Sequence, residues 1–297
     1  MGWRTVILTK ESKLSLRMNH LVVASDETKT IFLEEINSLI IENPSICITG
    51  HVMNALVEAK IHVILCDKSH LPMTNIQSTY GHHRQSKHIG QQINWIEARK
   101  ELLWKILIEQ KLTNQANLLE HFQLDGYEQM KELIHNVELG DATNREGYGA
   151  KIYFHKMYGN HFIRGYDDAI NAGLNYGYAL LHSLFARLIV SKGYLTEIGI
   201  FHKNEYNQYN LASDLMEIFR PIVDGIIYSS DEELFTKNSR RNLIHLFEYK
   251  IEIRGKQYYL TQAAQIFVDS CMEYLNTGNK GHLQLPKLDY KAYKWGV

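Results

Sequence analysis

Residues 91–111 read QQINWIEARKELLWKILIEQK. Trp95, Leu102, Leu103, Ile106 and Ile108 recur there at helical spacing, and the pattern predicts one long helix ending near Lys111. Before it the texture differs. Residues 4–9, 14–17, 20–24, 28–33 and 38–42 are short extended runs rich in β-branched residues and leucine. A short helix is expected at 50–59, a buried strand at 61–66 (IHVILC), and one more strand after Pro72 and Met73. Strands so closely spaced imply a small sandwich or barrel with one helix. Beyond Lys111, helices are expected at 113–122, 126–136, 144–158, 171–192, 212–227, 238–248 and 260–276, with one hairpin turning at Gly255. The fold class is therefore α+β: a small N-terminal β-sandwich domain over 1–80, a linker over 81–90 with few large apolar residues, and a larger all-α C-terminal domain over 91–297. The tail from Gly278 is expected to be loosely held.

The chain has 297 residues, with 32 Lys+Arg against 33 Asp+Glu, a net charge of −1. That balance excludes a protein that coats nucleic acid by bulk charge, and 45% hydrophobic content excludes a disordered chain. Cys47, Cys66 and Cys271 lie far apart and form no CxxC, so buried free thiols in a reducing compartment are expected. There is no secretory h-region and no apolar run near the roughly 18 residues that cross a bilayer. A cytoplasmic protein with no membrane partner is expected. Dinucleotide, phosphate-loop, nucleophile-elbow and HExxH motifs are all absent. Histidine is abundant, 15 residues, and His82, His83 and His88 cluster in the expected linker without the spacing of helical zinc ligands.

Three places could carry chemistry. In NREGYGAKIYF (144–154), Thr143 and Glu146 fit a capping box worth about 1 kcal/mol. Gly147 and Gly149 follow at once, where the missing side chains let another helix or a ligand approach. FHKN (201–204) places His202 just past the Gly199 break. In ASDLMEIFRP (212–221), Ser213 can cap a helix, Asp214 and Glu217 share a face, and Leu211, Leu215, Phe219 and Ile222 form the opposite apolar stripe. Pro221 should kink or end that helix. Two carboxylates and one imidazole at helix ends can converge to hold a divalent cation, Mg²⁺ or Mn²⁺.

NREGYGAKIYF, INAGLNYGYALL (170–181) and FHKNEYNQYNLASDLMEIFRPIVD (201–224) closely resemble the CRISPR-associated adaptation integrase, the catalytic subunit of the spacer-acquisition complex. MGWRTV at the start, CDKSHLPM (66–73) and YGHHRQS (80–86) are similar to its type II-A branch. The resemblance implies a β-sandwich followed by a helical domain, and a metal site made of Glu146, His202 and Glu217. Many family members have Asp where this chain has Glu217. Asp214 matches a nearby acidic position, either orienting a ligand or binding weakly. The implied reaction is attack by the 3′-hydroxyl of a foreign DNA fragment on a phosphodiester at the repeat boundary of a CRISPR array. Hydrolysis follows when water replaces that hydroxyl.

Implied partners are double-stranded DNA (protospacer and repeat), a second copy in a homodimer, and the small second adaptation protein in a heterohexamer. The RNA-guided effector nuclease and a ring-shaped DNA-end-binding protein are further implied partners. DNA contacts are expected from Arg145, Lys203, Arg84, Lys87, Arg164, Arg220, Arg240 and Arg241. Two alternatives remain at this stage: a catalytically silent DNA-binding scaffold in which the acids serve only as caps, and a metallohydrolase acting outside nucleic acid.

Overall fold

Alternating leucine and polar residues build the N-terminal strands. After β1 (Arg4–Leu8), β2 (Lys13–Arg17) and β3 (His20–Ala24) turn Leu14, Leu21 and Val23 inward. With β4 (Thr28–Phe32) they form an antiparallel meander, β2-β3-β4. β5 (Ile36–Ile41) is buried along almost its whole length because it is the inner strand of a second sheet. A helix, α1 (Gly50–Glu58), links it to β6 (His62–Cys66), and β7 (Pro72–Ile76) follows. The sheet order is β1-β5-β6-β7, parallel across β1, β5 and β6 and antiparallel at β7. Leu8, Leu14, Leu21, Val23, Leu39 and Leu56, drawn from both sheets and α1, share one apolar core.

This computed structural model describes residues 4–68, 70–76, 82–230 and 234–293. It divides into two compact units, Met1–His83 and Arg84–Val297. The expected boundary at residues 80 and 81 lies outside the described residues. The expected linker through residue 90 is corrected, because α2 (Gln85–Ile93) begins at once. Polar bonds hold this helix down where apolar patterning is weak. His88 Nδ1 lies 2.6 Å from the Lys192 carbonyl and its ring stacks on Tyr194. The buried Gln92 amide donates to the carbonyls of Leu195 and Ile198. His88 therefore does not belong to a solvated histidine linker.

The second unit is built around α3 (Glu97–His121), a single helix of 25 residues where two had been expected. Trp95 lies just before it, its indole nitrogen donating to Asn276 Oδ1. α4 (Tyr127–His135) and α5 (Arg145–Tyr158) pack against α3, and α6 (Ala169–Ser191) follows. The expected helix at 212–227 is divided: α7 (Asn210–Met216), a 3-10 turn at Glu217–Phe219, then α8 (Arg220–Tyr228) with Pro221 in its first turn. α9 (Lys237–Ile244), the hairpin β8 (Lys250–Ile253) and β9 (Lys256–Tyr259), and α10 (Leu260–Thr277) complete the unit. The expected loose tail is also corrected. Leu288, Tyr290 and Tyr293 are buried, and the Tyr290 hydroxyl donates to the Asn114 carbonyl at 3.0 Å. Cys66 and Cys271 are buried free thiols as expected, but Cys47 is exposed. Among the described residues no helix is long and apolar enough to cross a membrane.

Candidate active site

α5 starts with Glu146 in its first turn, and the cap that fixes it is not the expected one. The N-cap is Asn144, in the left-handed region at φ 51°, and its side chain accepts from Gly147 N. The buried Asp141 carboxylate accepts from Arg145 N at 2.7 Å and Glu146 N at 3.0 Å. Thr143 instead accepts from the Arg145 guanidinium. With the helix start satisfied by Asp141 and Asn144, the Glu146 carboxylate is free to point inward. Gly149 sets the depth. A Cβ there would stand 2.3 Å from Leu112 Cδ2, so only glycine lets α5 lie this close to α3. The close approach is to a helix, answering the question its spacing posed.

On α3, Lys111 is buried among leucines and isoleucines. Its ammonium donates to Glu146 Oε1 at 2.6 Å and forms an ion pair with Glu217 Oε2, also at 2.6 Å. Arg220 Nη2 lies 2.9 Å from Glu217 Oε1. Burial pushes the Glu217 carboxyl up, but the Arg220 guanidinium and the Lys111 ammonium outweigh it and hold the group below its ordinary range. For Lys111, burial favours the neutral amine, and Glu217 with Glu146 reverses the balance. Glu217 Oε2 is nevertheless buried without an aligned hydrogen-bond donor.

His202 lies beyond the break at Gly199. The fully buried Asp214 carboxylate accepts from the backbone N–H of Ile200 at 2.5 Å and of Phe201 and His202 at 3.1 Å each. It also lies 2.6 Å from His202 Nδ1. Any side chain at Gly199 would collide with the His202 carbonyl and with Asp214 Oδ2. The hydrogen bond to Asp214 raises the His202 pKa against the opposing effect of burial, with weaker contributions from Glu217 and Glu146. An ionised Asp214 fixes the proton on Nδ1 and leaves Nε2 as the acceptor. The expected Ser213 cap is corrected: Ser213 lies inside α7 and donates to the Tyr209 carbonyl. Trp104 supports the loop from below, stacked on Phe201 at 4.5 Å and edge-on to His202.

Among the described residues no three His, Cys, Asp or Glu side chains already close around one point. What the fold brings together is two carboxylates on one ammonium and an imidazole oriented by a third carboxylate. The donor set suits a divalent cation: carboxylate oxygens, one of them buried without an aligned donor, and a neutral imidazole nitrogen.

The cations expected to meet DNA divide into two groups. Arg164 is bound to Asn171 and Asn175, and Arg220 to Glu217, with both guanidiniums over the Tyr178 ring. Arg84, Lys87 and Arg241 are exposed, and Arg240 is half-buried. Lys203 is exposed and pairs with Glu97 at 3.0 Å, while Arg145 is half-buried beside Glu146. Tyr148 and Tyr206, which motif spacing did not single out, are exposed two residues after Glu146 and four after His202. Lys111 and Asp141 were missed as well, since neither belongs to a recognisable local motif.

The chain matches the family described as CRISPR associated protein Cas1 over residues 5–242. It is 32% identical over 303 residues to the CRISPR-associated endonuclease Cas1 of Neisseria meningitidis serogroup C (strain 8013), spanning 99% of this chain and 100% of that relative. Among solved structures, a casposase bound to integration product superposes with a TM-score of 0.72 at 19% identity, over 99% of this chain and 95% of the other. A Cas6-RT-Cas1--Cas2 complex gives 0.71 at 18% identity, over 97% of this chain and 36% of the longer one. At such identities these two likenesses concern the fold alone.

Proposed function

The chain belongs to the CRISPR-associated Cas1 family, and from that premise we propose that it is a metal-dependent DNA integrase and endonuclease that inserts foreign DNA fragments into a CRISPR array. The observation that carries this reading is the convergence of Glu146 and Glu217, far apart in sequence, on one buried point 2.6 Å from each. His202 is held on the same unit by Asp214. A role for Glu146 as a mere cap is not what its contacts support, since Asp141 and Asn144 do that work.

Mg²⁺ or Mn²⁺ on Glu146, Glu217 and His202 Nε2 would polarise the target phosphate and stabilise charge on the attacking or leaving oxygen. Asp214 is the orienting group for His202, because its own oxygens are already engaged by three backbone donors and the imidazole. In the reaction the fragment's 3′-oxygen forms a bond to phosphorus, the bond to the repeat's leaving oxygen breaks, and the hydroxyl proton ends on that oxygen. One phosphodiester replaces another, so no covalent protein intermediate is needed. Arg145 and Lys203 adjoin the ligands in sequence and, with Arg84, Lys87, Arg240 and Arg241, would hold phosphates. Tyr148 and Tyr206 supply exposed rings on which bases could stack.

The same reading includes a homodimer, a small Cas2-type partner and a cytoplasmic location. Association with the effector nuclease and the ring-shaped protein, and the type II-A branch, rest on MGWRTV, CDKSHLPM and YGHHRQS alone. Of these motifs, residues 1–3, 69, 80 and 81 lie outside the described residues. The test is an integration assay with the protein, its small partner, a short duplex and a supercoiled plasmid bearing the repeat. Joined product is expected with Mg²⁺ or Mn²⁺ and none with EDTA. Glu146→Ala and His202→Ala should lose it while still folding, and activity retained in either would remove the assigned site.

A further inference from the structure

Lysine is a poor choice for the inside of a helical bundle, yet Lys111 stands there with Leu107, Ile108 and Leu112 fully buried around it. The fold does not require it; the two carboxylates do. With Glu146 and Glu217 both ionised and Arg220 reaching only Glu217, the pair would repel across a low-dielectric interior unless a cation stood between them. We propose that Lys111 is a placeholder counter-ion, its ammonium holding the position between Glu146 and Glu217 that a divalent metal takes over, so that lysine and metal compete for the same oxygens. This rests on the reading of those carboxylates as metal ligands.

The charge sum gives the consequence. Lys111 and Arg220 balance Glu146 and Glu217, so the cluster is neutral with His202 uncharged. A divalent ion added to it leaves an excess of two positive charges, which two DNA phosphodiesters would offset. Metal binding is therefore weak in the free protein and coupled to DNA, which keeps an armed nuclease from forming without its substrate. The geometry agrees, since the Lys111 ammonium lies 2.6 Å from one oxygen of each carboxylate and so stands between them.

The experiment is calorimetric titration of Mn²⁺ into the full-length protein, with melting curves in parallel. Lys111→Met should bind Mn²⁺ at least about tenfold more tightly than the wild type, melt lower without metal, and gain more on adding it. Lys111→Arg, which keeps the charge, should bind as the wild type does. In the wild type, a short DNA duplex should tighten Mn²⁺ binding by about the same factor. Lys111→Gln replaces Lys111→Met if the latter does not fold. If neither folds without metal, recovery of the fold on adding Mn²⁺ supports the proposal, and no recovery overturns it. Unchanged or weaker affinity in a folded neutral variant overturns the role of Lys111 and leaves the metal site standing. Absence of Mn²⁺ binding by every protein, with and without DNA, overturns both.

Discussion

The carboxylate of Asp214 is what orients the His202 ring. Asp214 accepts from three backbone N–H groups and from the ring, and no neutral side chain of that shape has the acceptors to do so. Asp214→Asn turns an NH₂ toward one or more of these donors and costs about 1–3 kcal/mol. It also removes the main cause of the raised His202 pKa. Titration of the His202 ring by NMR should therefore give a lower pKa in Asp214→Asn than in the wild type, and integration should fall by roughly 10- to 100-fold. An unchanged His202 titration would show that Asp214 does not orient the ring. At this scale the sequence singled out Glu146, His202, Asp214 and Glu217 by spacing and by resemblance, and the structure pairs Glu146 and Glu217 with Lys111 and His202 with Asp214. Lys111 did not stand out, because a lysine amid apolar helical residues ordinarily snorkels to solvent, and only the packing of α5, the 3-10 turn at Glu217–Phe219 and α8 around α3 buries it. Asp141 was hidden by a competing local pattern, the Thr143–Glu146 capping box, which Asn144 displaced by adopting the left-handed region.

The position of α5 against α3 is what delivers Glu146 to Lys111, and Gly149 is its contact point. Gly149→Val would drive a side chain into Leu112, forcing the helices apart at a cost of about 1–3 kcal/mol. Integration is expected to fall further than that stability loss explains, because Glu146 is one turn away on the same helix. Gly90→Ala is the control: it lies inside α2 with no heavy atom near the added Cβ, and should raise stability by about 0.5–1 kcal/mol. Melting curves and integration yields of the two variants check both statements. Gly149→Val with wild-type integration would show that α5 does not need this depth. Except for α2, whose weak apolar pattern read as a linker, helix existence was legible from periodicity, but continuity was not. Residues 91–111 and 113–122 looked like two helices because the buried face of α3 includes Lys111, Asn114 and Gln115, which break an apolar pattern without breaking the helix. The tail after Gly278 looked loose because its anchors, Leu288, Tyr290 and Tyr293, are held by long-range contacts that no local pattern encodes.

For the whole molecule the order of a β-rich unit followed by a helical one was plain in the sequence, since the dominant period of its apolar residues changes near residue 91. The parallel pairing of β1 with β5 and of β5 with β6 was not, because register depends on partners rather than on the strands themselves. The neutral total charge likewise hides an internal imbalance that shapes how the helical unit responds to acid. Asp224 is fully buried, and burial raises its pKa to about 6 although the hydroxyls of Tyr178 and Tyr153 donate to it. In an unfolded chain the same group titrates near ~3.9. Between these values the folded unit holds a proton that the unfolded chain has released. This group's contribution to stability therefore declines as pH rises from about 4 to about 6 and is level above that. The difference in pKa corresponds to about 3 kcal/mol, several degrees of melting temperature in a unit of this size. Glu217, with a depressed pKa, works in the opposite direction, losing stability as pH falls through its folded value. His202, with a raised one, contributes below its unfolded pKa and loses that contribution as pH rises through the folded value. The total profile mixes all three, and the difference between wild type and Asp224→Asn isolates one. Calorimetry from pH 4 to 8 should find Asp224→Asn less stable than the wild type at the acid end, with the gap closing or reversing by pH 7. A constant gap across the range would mean that Asp224 stays ionised in the folded protein, held by Tyr153, Tyr178 and the nearby cations Arg220 and Lys111.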